Sequence, residues 1–178
     1  MKLVASILKS EPGEQHMSTN RALPKERYPS VAYKDDFAAW ALSQAEALRT
    51  GGPLDLANLA EEIEYLSRHQ HNELRSRLRV LTLHILKWQY QPEHRTGSWG
   101  STIVEQQAQI RSILKDSPSL SRMVESYFND EYSTARRQAS LETGLDLSRF
   151  PDDASAVHAA VVDVINEETD ALDRYRLP

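Results

Sequence analysis

The side chains in this chain with the reach to do chemistry are carboxylates and histidines, and their spacing limits what they can do together. His69 and Glu73 are four apart, which on a helix puts them on one face at about 6 Å, close enough to share a metal ion. Two ligands are not a site, and the sequence nominates no third, so solvated surface residues are the plainer reading. A di-iron centre in a helical bundle needs Glu-x-x-His pairs, and none of the six histidines has Glu three residues before it. At about 100° per residue, Glu62, His69, Glu73 and His84 fall within roughly 60° of one another. Glu62 and His84 form the candidate polar site of this stripe, yet they stand 22 residues apart, roughly 33 Å along a straight helix. They meet only if the chain folds back between them. Otherwise His84 is a histidine at the core rim beside Leu81, Ile85 and Trp88, and Glu61 and Glu62 stabilise the positive end of a helix dipole.

Other catalytic signatures are missing. No Gly-x-Ser-x-Gly elbow, phosphate-binding loop or dinucleotide fingerprint occurs among only six glycines, so no catalytic residue is assigned and no cofactor is expected. Arg75, Arg77, Arg79 and Lys87 gather in one region, with Arg95 and Arg136-Arg137 further on. Arg77 and Arg79 point about 200° apart on a helix and acids are as numerous nearby, which argues against a nucleic-acid stripe. Lys87, Trp88, Tyr90 and Trp99 bracket a loop containing Pro92 and Gly97. Aromatics beside a loop can anchor a partner, and this is the candidate interaction surface. Trp88 and Trp99 also continue apolar stripes into their helices, and a plug for the end of a bundle is the favoured reading of the aromatics themselves.

The elements that would position these residues are helical. Phe37, Trp40, Ala41, Gln44, Ala45 and Leu48 recur at spacings of three and four, with Asp35 or Asp36 as cap and Gly51-Gly52-Pro53 as stop. A second helix over 55–90, capped by Asp55 or Asn58, carries Leu56, Leu59, Ile63, Leu66, Leu74, Leu81, Ile85 and Trp88 on one stripe. It is either a continuous rod or bent at the polar stretch Ser67 to Asn72. Ser98 is the expected cap of a third helix with Trp99, Ile103, Gln106, Ile110, Ile113 and Leu114 inward. Ser117-Pro118 then starts a fourth, ended by Gly144. A last helix is expected over Ala154 to Leu172. No period-two alternation supports a sheet. The expected fold is all-α, a single-domain bundle of four or five helices over 31–178, preceded by a tail over 1–30 whose prolines and polar residues bury too little to order it.

Composition agrees with a globular chain of one domain: 178 residues, 40% hydrophobic and 26% charged. Absence of cysteine removes disulfides, thiolate metal sites and thiol nucleophiles. A net charge of −5 opposes non-specific binding to DNA or anionic lipid. The apolar run Leu3 to Leu8 falls short of a secretory signal, and no stretch is long enough to span a bilayer. A cytoplasmic setting is therefore expected. Met17 would serve as a start as well as Met1.

Several motifs resemble one family. They are Tyr33 to Leu48, Leu59-Ala60-Glu61-Glu62-Ile63-Glu64, Leu78 to His84, Leu86-Lys87-Trp88-Gln89-Tyr90-Gln91-Pro92 with Ser98-Trp99 following, Ser117-Pro118-Ser119-Leu120, and Glu142-Thr143-Gly144-Leu145 before Phe150-Pro151. Over about residues 33–151 the chain is similar to the bacterial family catalogued as domain of unknown function number twenty-nine, and the likeness thins from Asp152 onward. The resemblance implies an all-α fold, a bacterial cytosolic setting and no assigned chemistry. With no catalytic constellation, the expected role is contact with a protein partner at the Lys87 region. A hydrolase or metal-dependent enzyme built from Glu62, His69, Glu73 or His84 stands second, and nucleic-acid binding third. Self-association stays open, because a long second helix could bury spare apolar face against its copy.

Overall fold

One side-chain cap and one left-handed glycine set the boundaries of the first helix in the computed structural model, which describes residues 31–167. The tail over 1–30, both candidate starts and residues 168–178 lie outside the described residues. The described chain falls into two compact units, 31–68 and 69–167.

In the first unit, α1 spans Phe37–Thr50. Asp36, extended at φ −155°, accepts from the Ala39 N–H at 3.0 Å and so satisfies one of the orphan donors of the first turn. Gly51 ends the helix at φ 73°, a conformation open to glycine, and the Gly52 N–H returns to the Ala47 carbonyl at 2.8 Å. α2 begins at Leu56. Its cap is Asp55, whose carboxylate accepts from the Asn58 N–H at 3.3 Å and the Asn58 amide at 2.6 Å. Asp55 also joins α1 to α2: the Trp40 indole donates at 3.3 Å to Oδ2, the oxygen that accepts from the Asn58 amide, and the Asp55 N–H donates to Gln44 at 2.8 Å. Tyr33 stacks edge-on against Trp40, with centroids 4.8 Å apart, and Phe37 completes the cluster. Trp40 is the one buried side chain between 31 and 68.

α2 runs Leu56–Tyr90 without interruption, 35 residues. The stretch Ser67 to Asn72 is polar but holds neither Gly nor Pro, so nothing there breaks the backbone ladder.

The second unit holds the rest of α2, then α3 (Gly97–Asp116), α4 (Val124–Thr143) and α5 (Ser155–Asn166), with 3-10 turns at Pro92–His94, Pro118–Met123 and Leu147–Arg149. Its core is aliphatic and aromatic: Leu74, Leu78, Leu81 and Ile85 of α2, Ile103 and Ile110 of α3, Phe128 and Ala135 of α4, Phe150, and Val157 and Val161 of α5. Buried Gln107 donates to the Val164 carbonyl at 2.7 Å, tying α3 to α5. Tyr132 donates to the Pro151 carbonyl at 2.7 Å, and Arg136 reaches the carbonyls of Leu147 and Phe150. His71 meets the Tyr127 hydroxyl at 2.5 Å across α2 and α4.

Three boundaries differ from expectation. The last helix, expected to reach Leu172, ends at Asn166, where the extended ψ of 123° at Glu167 closes it. Thr96, not Ser98, caps α3, accepting from the Trp99 N–H. Ser117 makes no side-chain cap because its hydroxyl donates to Gln70 at 2.9 Å; a 3-10 turn follows Pro118, and α4 starts at Val124. Gly144 ends α4 at φ 71° as expected. Among the described residues all five long elements are α-helices and none is a strand, so the fold is all-α. No helix there is long and apolar enough to cross a membrane.

Candidate functional site

Glu62 belongs to the first unit and His84 to the second. Each has a local role. Glu62 accepts from the Tyr33 hydroxyl at 2.5 Å, a bond that raises the Tyr33 pKa by holding its proton. His84 is half-buried, and its Nδ1–H donates to the Val80 carbonyl one turn back at 2.9 Å. Burial is the main cause that lowers its pKa, partly opposed by that bond and reinforced by nearby Lys87. The imidazole is thus held as the neutral ring, with Nε2 left as its acceptor.

His69 and Glu73 share the wall of an open groove of about 430 Å³ between α2 and α3, with Asn72, Ser76, Arg77, Val80 and Gln106. Arg77 holds Glu73 at 3.3 Å and reaches Gln106 at 3.5 Å. Among the described residues no three or more His, Cys, Asp or Glu side chains are grouped to hold a metal ion. The pair stays a pair.

Of the four residues of the expected interaction surface, Lys87 and Trp88 are buried and Tyr90 and Trp99 half-buried against the core. Lys87 is buried, its Nζ donating to Glu142 at 2.6 Å and lying 4.4 Å from the centre of the Trp99 ring. A carboxylate on one side and an aromatic face on the other replace the water the ammonium loses. Trp88 is buried too; Arg95 covers its ring at 4.9 Å and donates to its carbonyl at 2.9 Å. Tyr90 packs on Phe150, with centroids 5.5 Å apart. These residues plug the bundle, and the physical reason is that both tryptophans continue core stripes of their helices. Several of the arginines meet carboxylates. Arg75 pairs with Asp130 at 2.7 Å and Glu131 at 3.7 Å, Arg79 with Glu131 at 3.6 Å, and Arg136 with Asp152 at 2.6 Å.

What sequence reasoning missed lies on α2's own apolar stripe. Leu74, Leu81 and Ile85 are fully buried, whereas Leu56, Ile63 and Leu66 are 70%, 66% and 63% exposed. Phe37 and Leu48, eleven residues apart on one face of α1, are also exposed. A stripe of aliphatic side chains reads as core wherever it occurs, so periodicity could not separate its two halves. Composition held a signal: residues 31–68 carry seven carboxylates and three basic side chains, a balance of −4.

Fold and surface together define an all-α bundle protein with an acidic helical pair that bares an apolar face. The chain belongs to the family described as Domain of unknown function DUF29, which matches residues 32–167. The match runs beyond the resemblance visible in the sequence motifs and takes in α5. No curated protein and no solved structure matches the chain.

Proposed function

We propose that this is a bacterial cytoplasmic protein that works by contact with a protein partner, and that the contact is made by the exposed apolar face of residues 37–66. One observation carries the reading: Leu56, Ile63 and Leu66 are about two-thirds exposed on the same helical stripe that is wholly buried at Leu74, Leu81 and Ile85. Apolar area left in water is unfavourable, at roughly 25 cal/mol per Å², and contiguous patches of it mark interaction sites. The setting is supported by the absence of cysteine from the sequence and of any membrane-crossing helix among the described residues.

A photo-crosslinking amino acid placed at Leu66 of the full chain in its host tests the reading. A discrete cross-linked product is expected at that position, and no such product with the same probe at exposed Ser112. Equal labelling at both positions, or none at Leu66, would overturn it.

A further inference from the structure

From the exposed face and its charge, we infer that the occupant is a basic amphipathic helix of another protein. This rests on the interaction reading above and names the partner's chemistry. Leu56, Ile63 and Leu66 lie seven and three residues apart on α2, two neighbouring turns and a third of one stripe. A helix with apolar side chains at i, i+3 or i+4, and i+7 presents matching knobs, and helices commonly dock on apolar helical faces in this way.

The charges around the stripe choose between occupants. Glu62 flanks it on one side and Glu64 on the other, at about 100° per residue. Two of the three basic side chains in 31–68 already answer carboxylates on their own helices: Arg68 pairs with Glu64 at 3.3 Å and Arg49 with Glu46 at 3.8 Å. Asp55, Glu61 and Glu62 have no cation among the described ion pairs, and the hydrogen bond from Asn58 lowers the Asp55 pKa, keeping it charged. The face is therefore apolar within a negative field. A second copy would bring −4 against −4, and like charges facing one another oppose association, while Lys and Arg flanking an apolar stripe complement it.

The test uses the full chain and two labelled 18-residue helical peptides with identical leucine spacing, one with lysine at every polar position and one with glutamate, read by fluorescence anisotropy. The lysine peptide is expected to bind at least about tenfold more tightly than the glutamate peptide, and to weaken by about tenfold between about 50 and 500 mM salt. Ile63→Asp with Leu66→Asp should reduce its affinity by about tenfold or more at unchanged helicity and melting temperature. Leu56→Gln is the second variant should that pair disturb folding. Equal affinity for both peptides, or binding indifferent to these substitutions, would overturn the inference. So would a dimer in light scattering that Leu66→Asp converts to monomer, since the second copy would then be the occupant. A cross-link at Leu66 without lysine-peptide binding would sink this inference and leave the interaction reading standing; failure of both would remove both.

Discussion

At the scale of single residues, a lysine that sequence reasoning placed on the surface is buried in an ion pair. Lys87 is buried between Glu142 and Trp99, so removing its partner strands a cation. Glu142→Gln is expected to destabilise by about 1–3 kcal/mol, whereas Lys87→Met, which removes the charge and keeps most of the volume, should cost less. Chemical denaturation of the two variants checks the order, and a larger loss for Lys87→Met would refute it. His84 makes a second residue-scale prediction. Its pKa is lowered in the fold, mainly by burial, so the unfolded chain takes up a proton at a pH where the folded one does not. Stability should be full above the ordinary histidine value of about 6.5 and decline as pH falls below it, and His84→Gln should flatten that decline. Thermal melts of both proteins across pH 5 to 8 would show it; parallel curves would refute the assignment. None of this geometry is legible in the sequence, which presents Lys87 and His84 as two polar positions three apart on one helix without saying which faces a carboxylate.

At the scale of elements, α2 carries the argument. One stripe of Leu and Ile runs along all of it, and burial divides that stripe near its polar middle. Leu81→Ala should cost about 2–5 kcal/mol because it empties space in a close-packed core. Ile63→Ala should stay within about 0.5 kcal/mol, because solvent already covers that side chain. Differential scanning calorimetry of the two variants is the check, and similar losses would mean that Ile63 is packed. Helix starts and stops were readable where the cap is local: Asp36, Asp55, Gly51 and Gly144 act within a turn of their own position. Ser98 and Ser117 misled because a competing hydroxyl at Thr96 and a distant amide at Gln70 decide those ends. The polar stretch at 67–72 left a rod and a bend both open; the helix is continuous through it, since helix breaking requires Gly, Pro or a lost hydrogen bond and polarity supplies none of these.

At the scale of the whole molecule, the chain's net charge of −5 is concentrated, with −4 of it between residues 31 and 68. That is the region where the apolar face is bare, and a face of this kind favours a partner of opposite charge over its own copy. The all-α class, the order of the helices, the αL glycines and membership of the family followed from the sequence, because 3.6-residue periodicity, capping and motif spacing are local properties of the chain. Which half of the α2 stripe is core and which lysine is buried were decided by tertiary structure alone. Burial depends on what covers a side chain, and covering is supplied by residues distant in sequence: Phe128 and Val161 stand over Leu81's bundle, Glu142 over Lys87, and nothing of comparable size buries Ile63.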